Sequence, residues 1–334
     1  MIRVAIVGTG GIAKTHARAM QAIDTVELVA LVNHRPESMA IFGEQFNVTR
    51  QYATIEDLLS AGDVDAVIIC TPNVLHAPQA IAALNTGVHV LVEKPMAMSA
   101  TEAQTMLDAA SNSGAILQVA HCWRFDDEVR YMRDQLTSGI IGDVIRTKAY
   151  SSHVNWGPSG WFTQKALAGG GALADMGIHA IDTVRFLLGD LQPKSVFANI
   201  GTHYGDYDVD DTGIITINWE NGSHSIIEFG WWQPHADGVA AHTKAYGTQG
   251  IAQLFPTQIH QRDMNNTQHI IDTGYPTQRT PHVPLSIYIQ QIEHFITCIK
   301  QHKRPIADGH VGFINMQIVS AAYHSSETGQ VVHI

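Results

Sequence analysis

Residues 3–13, RVAIVGTGGIA, decide the fold. Four of the first five, Val4-Ala5-Ile6-Val7, are apolar and three of those are β-branched, the pattern of a buried strand. Gly8-Thr9-Gly10-Gly11-Ile12-Ala13 then fits G-x-G-x-x-A, and helical spacing follows to about Ile23. Gly8 permits a tight turn, Gly10 lets backbone approach a pyrophosphate, and Ala13 allows close helix–strand packing. The helix's first N–H groups would face that anion. Gly8, Thr9, Gly10, Gly11 and Ile12 are therefore candidate cofactor contacts. G-x-G-x-x-A alone is common; between a strand and a helix at residue 8 it is specific.

Outward from this stretch the β–α alternation repeats. A second apolar strand, 26–32, ends at Asn33-His34-Arg35-Pro36. A site selective for NAD usually carries Asp or Glu here to accept from the ribose 2′-hydroxyl. Asn33 does not repel a 2′-phosphate and Arg35 can clamp one, with His34 beside them, so NADP is expected ahead of NAD. The alternative is that Arg35 is a solvated helix-entry residue and both cofactors serve. Helices are expected over 36–46 and 55–59, a strand over 64–70, and a helix over 74–85. Thr71, Pro72, Asn73 and His76 then face the crevice at a strand's carboxyl end. Residues 89–95, HVLVEKP, read as a short strand stopped by Pro95, which places Glu93 and Lys94 at the same crevice. A lysine held near apolar groups becomes useful for proton transfer. Ser99 and Glu102 cap a helix to about residue 111, and 115–120 is the last strand. The pattern is that of an α/β doubly wound domain over 1–122.

The chain's 334 residues predict two domains, and 45% hydrophobic with 15% charged residues gives both a core. A net charge of −11 argues against nucleic acid and anionic membrane surfaces. No apolar run reaches the ~18 residues of a membrane span, and Met1 leads directly into a strand. The three cysteines, Cys70, Cys122 and Cys298, are scattered, which suits a reducing cytoplasm. Despite 19 histidines there is no HExxH and no zinc spacing, so no metal is expected.

Residues 123–334 change character. A helix capped by Asp126 or Asp127 precedes a strand over 144–153. An aromatic-rich loop then leads to GGGALADMGIHAID, residues 169–182. In a helix from Ala172, Asp175 and His179 stand at i and i+4 on one face, with Asp182 near it. Such a pair is either a satisfied core pair or proton-handling chemistry, and spacing does not decide between them. The remainder reads as mostly antiparallel β, an α+β domain with strands over 195–202, 213–219 and 225–232. In the second of these Ile215, Ile217 and Trp219 share one face and Thr212, Ile214, Thr216 and Asn218 the other. The mixed face predicts a homodimer or homotetramer formed through this sheet. Amphipathic helices over 285–303 and 311–328 and a closing strand, 330–334, complete the chain.

Four features stand in order: GTGGIA at Gly8, TPN with His76, EKP at Glu93–Pro95 by number 93–95, and GGGALADMGIHAID. Together they resemble the Gfo/Idh/MocA family of NAD(P)-dependent oxidoreductases, across essentially the whole chain. The resemblance implies a Rossmann domain followed by an open-sheet α/β domain. It also implies an active centre of Lys94, Asp175 and His179. A carbinol releases hydride only as its hydroxyl proton leaves, so His179 is the expected base, Asp175 orients it or holds a neighbouring hydroxyl, and Lys94 is a donor to the developing alkoxide. Glu93 is expected to position Lys94 or contact the cofactor. His121 and Arg124, after the last Rossmann strand, and Trp161, before the glycine run, are candidate substrate contacts. Trp156, Lys165, Trp231, Trp232 and His235 are weaker ones. Tryptophans beside hydroxyl-binding groups suit a sugar or cyclitol ring. Competing readings are an NAD-using glycoside hydrolase on a related scaffold and a non-catalytic dinucleotide or sugar sensor.

Overall fold

The computed structural model describes residues 1–233, 241–263, 265, 267–276 and 283–334. The chain forms two compact units: Met1–Phe125 with Val283–Phe313, and Asp126–His282 with Ile314–Ile334.

In the first unit β1 (Ile2–Val7), α1 (Gly11–Met20), β2 (Val26–Val32), α2 (Pro36–Phe46), β3 (Gln51–Tyr52), α3 (Ile55–Ala61), β4 (Ala66–Ile69), α4 (His76–Asn85), β5 (His89–Val92), α5 (Ala100–Ser113) and β6 (Leu117–Val119) alternate. Their sheet has the order β3-β2-β1-β4-β5-β6, with every neighbour parallel. The order reverses between β1 and β4, so a crevice opens beyond the carboxyl ends of the strands. β4 is buried along its whole length, as a strand covered on both faces must be. Thr54 and Ser99 cap α3 and α5 as their sequence positions predict, accepting from the N–H groups of Asp57 and Glu102 at 3.2 Å each.

The compact units differ from the consecutive segments 1–122 and 123–334. The helix over Leu285–Gln301 carries Ile292, Phe295, Ile296 and Ile299 on one stripe. Those side chains join Ala13, Ala17 and Met20 in the core of the first unit. Small residues on α1 leave room for that stripe, and burying it returns the late segment to the early one.

The second unit contains α6 (Asp127–Thr137), β7 (Val144–Ser152), α7 (Lys165–Ala168), α8 (Ile178–Leu187), β8 (Pro193–Gly201), β9 (Thr212–Trp219), β10 (His224–Gly230), β11 (Ala241–Gly247), β12 (Gly250–Leu254), β13 (Gln258–Arg262) and β14 (Gln268–Ile271). The helix returned to the first unit is α9 (Leu285–Gln301); α10 (Gly309–Thr328) and β15 (Val332–His333) close the chain. The nine strands have the order β14-β13-β12-β11-β7-β10-β9-β8-β15. All neighbours are antiparallel except β7 and β10. Asp126 is the residue that caps α6, accepting from Glu128 and Val129 at 2.9 and 3.1 Å. In β9 Ile215, Ile217 and Trp219 are buried, while Ile214 is 40% exposed. The face expected to be open is open. Asp182 proves to be a core group: it is 1% exposed and accepts from the Asn315 amide at 2.9 Å. Asn315 in turn accepts from Arg185 at 2.8 Å, so this buried acid ties α8 to α10. Among the described residues no helix is long and apolar enough to cross a membrane.

Candidate active site

The glycine loop has the geometry its sequence asks for. Gly8 has φ +92°, and a Cβ there would stand 2.7 Å from the Cys70 carbonyl oxygen. Only glycine tolerates both the left-handed backbone and that approach. Gly10 begins α1 without a side-chain cap, no acid occupies the first turn, and the space where a Cβ would stand at Gly10 and Gly11 is open. Uncapped N–H groups, no negative charge and open space fit a bound pyrophosphate.

At the end of β2 the Asn33 amide bridges two turns. Its Oδ1 accepts from the Arg35 N–H at 3.0 Å, and its Nδ2 donates to Thr9 Oγ1. Thr9 Oγ1 lies 2.8 Å from Ser38 Oγ. With Asn33 donating to it, Thr9 can donate its O–H to Ser38, leaving the Ser38 O–H free to donate to an incoming acceptor. His34 and Arg35 are exposed beside this row, as is Glu37 in the first turn of α2. Ser38 was not singled out from sequence; it lies on the first turn of α2, three residues after Arg35.

At the end of β5, Glu93 is 7% exposed. Its Oε1 lies 2.8 Å from Nε2 of the fully buried His16, and its Oε2 accepts from the Lys94 N–H at 3.2 Å. The His16 ring also meets Tyr288 edge-on, with centroids 5.6 Å apart. Burial pushes the Glu93 carboxyl up, but the bond and charge from His16 and the adjacent Lys94 outweigh it and hold it below the ordinary value. Lys94 itself is half-buried. The glutamate of this motif is thus a buried anchor, and the lysine is what the anchor presents.

His76 is not at the crevice surface, as its position in sequence suggested. It is 1% exposed, with Nδ1 2.8 Å from the Pro95 carbonyl and Nε2 2.9 Å from the Thr71 carbonyl. It therefore joins the turn after β4 to the turn after β5. Burial pushes its imidazole below the ordinary value, against the pull of the two carbonyls. Thr71 donates to Gln79 at 2.8 Å, Pro72 is half-buried and Asn73 is 6% exposed. His121 and Arg124 are also buried, at 1% and 0%. Arg124 donates to the Ile306 carbonyl at 2.9 Å.

In the second unit the helix expected from Ala172 begins instead with a π turn, Leu173–Gly177, before α8. Asp175 therefore lies within the π turn and His179 on the α turn that follows it. Asp175 Oδ2 receives the Trp231 indole N–H at 3.0 Å and lies 3.3 Å from His153 Nε2. His153 stacks on Trp156, with centroids 3.6 Å apart. His179 is half-buried on the first turn of α8. Trp161 stacks on Phe162 at 3.9 Å in the short turn Gly160–Thr163. His235 lies outside the described residues.

The π turn is held by a residue that sequence reading missed. Asp210 accepts from the N–H groups of Gly171 and Leu173 at 2.7 and 2.8 Å and from the Tyr323 hydroxyl at 2.7 Å. Burial pushes its carboxyl up against these three donors. A Cβ at Gly171 would overlap the Asp210 carbonyl, which explains a glycine there. Asp211 anchors the neighbouring loop, accepting from Tyr204 N–H and the Tyr207 hydroxyl at 2.6 and 3.0 Å. Its carbonyl accepts from Trp231 N–H at 2.7 Å, so one dipeptide steadies both Asp175 and its indole partner. Two adjacent acids just before β9, with no base beside them in sequence, were the available signal.

Comparison with known proteins gives a concordant result. Residues 2–121 match the profile described as an oxidoreductase family with an NAD-binding Rossmann fold. Residues 129–253 match the GFO/IDH/MocA C-terminal domain. D-glucoside 3-dehydrogenase of Escherichia coli (strain K12) is 30% identical over 350 residues, covering 100% of this chain and 97% of its own. 1,5-anhydro-D-fructose reductase of Ensifer adhaerens is 28% identical over 338 residues, covering 100% and 99%. A solved structure of levoglucosan dehydrogenase in complex with NADH is similar, with a TM-score of 0.88 at 23% identity, covering 100% and 99% of the two chains. At that identity the likeness is one of fold.

Proposed function

The chain belongs to the GFO/IDH/MocA oxidoreductase family, and from that premise we propose how its residues carry the reaction. It is an NAD(P)-dependent oxidoreductase acting on a carbinol or carbonyl carbon of a sugar, sugar derivative or cyclitol. The proposal assigns proton handling to Lys94, Asp175 and His179. When bound, the nicotinamide supplies or accepts the hydride. His179 takes the proton from the reacting hydroxyl in oxidation and returns it in reduction. Lys94 donates to the same oxygen and stabilises negative charge as it develops. Asp175, gripped by Trp231 and His153, fixes the substrate's orientation through a neighbouring hydroxyl or through His179. Gly8, Gly10, Gly11 and Ile12 hold the pyrophosphate, and Thr71, Pro72 and Asn73 line the crevice. Glu93 and His76 work one step back, by anchoring the turn that carries Lys94.

The observation that carries this reading is the Glu93 anchor. A buried carboxylate bonded both to the helix of the glycine loop and to the Lys94 amide fixes that lysine's backbone at the crevice. Structural duty alone requires no lysine there.

The cofactor proposed is NADP ahead of NAD. Arg35, the Ser38 and Thr9 hydroxyls and an amide, Asn33, instead of an acid at the end of β2 support a 2′-phosphate over a 2′-hydroxyl that needs an acceptor. The buried cysteines support a reducing cytoplasm as the compartment, and the open face of β9 supports a homo-oligomer through the sheet. The test is a panel of sugars, sugar acids and cyclitols with each cofactor, followed by nicotinamide absorbance. Turnover of polyhydroxylated substrates that His179→Ala depresses while cofactor affinity holds is expected. Aryl-glycoside cleavage without net cofactor change, or binding without any turnover, would move the protein to one of the competing classes.

A further inference from the structure

The two side chains that meet Asp175, Trp231 and His153, belong to two loops, and each loop also turns an indole outward. Trp231 is fully buried with its N–H on Asp175, whereas the next residue, Trp232, is 38% exposed. His153 lies against the same carboxylate and stacks on one face of Trp156, which is 51% exposed. The loops are bound to each other. Trp232 N–H donates to the Trp156 carbonyl at 2.9 Å, and Gln233 N–H donates to the His153 carbonyl at 3.0 Å. Trp232 has φ +58°, and a Cβ at Gly157 would overlap its indole. A bulky residue held in the left-handed region on a glycine it needs bare is a fixed side chain, not a wandering one.

We propose that Trp156 and Trp232 form an aromatic shelf for a second ring of the substrate, so that the protein acts on glycosides, with the ring to be oxidised or reduced at Asp175 and its glycosidic neighbour on the indoles. The inference rests on the sugar-oxidoreductase reading above and narrows its substrate class. A free monosaccharide at Asp175 has no use for large apolar surface one residue further along the Trp231 loop and three further along the His153 loop. A glycosidically linked ring does, because its C–H face packs on an indole while its hydroxyls stay in water. His153 connects the two positions: its edge meets the carboxylate that orients the first ring, and its face backs the indole that receives the second.

The test compares kcat/KM for a free hexose with those for its methyl glycoside, phenyl glycoside and disaccharide, in the wild type and in Trp156→Ala, Trp232→Ala and Trp156→Phe. The wild type is expected to favour the two-ring substrates by about tenfold, the scale of ~1.4 kcal/mol from one stacked ring, expressed mainly in KM. Trp156→Ala and Trp232→Ala should abolish that preference, lowering kcat/KM for two-ring substrates far more than for the free hexose, and Trp156→Phe should restore most of it. Turnover with no preference for a second ring overturns the inference alone. So does an equal loss on one-ring and two-ring substrates, which would mean that the indoles serve the fold or the first ring. Absence of turnover with every sugar would overturn the sugar-oxidoreductase reading, and this inference with it.

Discussion

Glu93 and Lys94 are adjacent in sequence and opposite in fate. The carboxylate is buried against His16, 77 residues away in the chain, whereas Lys94 is only half-buried. Removing one partner of a buried pair leaves the other uncompensated, so His16→Ala should cost about 3–5 kcal/mol of unfolding free energy in denaturant titration. A loss within the error of a surface substitution would show that the pair is not an anchor. The pair also has a pH signature. A carboxyl held below its ordinary value stabilises the fold above that value, and the contribution disappears as pH falls through the folded one. Wild-type stability should therefore drop as pH falls below about 4.5, the ordinary glutamate value, and Glu93→Gln should flatten that part of the profile. At the cofactor, Arg35→Ala should raise the KM for NADP far more than that for NAD; equal changes would reject Arg35 as a phosphate reader. Of these residues, Lys94 and Arg35 were legible as residue types at strand ends. His16 was not, because the stripe of Ala13, Ala17 and Met20 reads as ordinary helix packing, and a polar residue on it names no partner.

At the scale of elements, local signals worked where local physics decides. The glycine loop, the Thr54, Ser99 and Asp126 caps and the Pro36 helix start all follow from residues within one turn of one another. The π turn at Leu173–Gly177 did not announce itself, because its cause, Asp210, lies some forty residues later. Strands β11–β14 were foreseen only as a general β tendency: AHTKAYG and QIHQR have no apolar alternation strong enough to mark each strand. The late helix α9 was expected in the second segment because sequence order says nothing about which core receives its stripe. Asp210→Ala should remove a carboxylate that satisfies two helix N–H groups and a hydroxyl. The expected cost is about 2–3 kcal/mol or more, with a fall in kcat, as the π turn carrying Asp175 loosens. Unchanged thermal midpoint and unchanged turnover would show that the glycine run holds this turn by itself.

At the scale of the whole molecule, the second unit's sheet leaves one face open, with Phe197 and Ile214 exposed at 42% and 40%. Lys148 and Lys244 stand directly opposite each other on neighbouring strands, with Glu228 paired to Lys148 at 3.5 Å. This is the face through which the homo-oligomer is proposed to form. Ile214→Arg should shift sedimentation toward the monomer while leaving the thermal midpoint of the fold nearly unchanged; an identical sedimentation profile would remove this face from the assembly. The central claim, that this chain moves hydride with Lys94 and His179 managing the proton, has one most direct measurement. Reduced-nicotinamide absorbance is followed with a saturating sugar substrate in the wild type, Lys94→Ala and His179→Ala, with cofactor affinity measured in parallel. The account predicts that each substitution lowers kcat by about 10²–10⁴-fold with cofactor binding intact. Turnover within severalfold of wild type in either variant would contradict it.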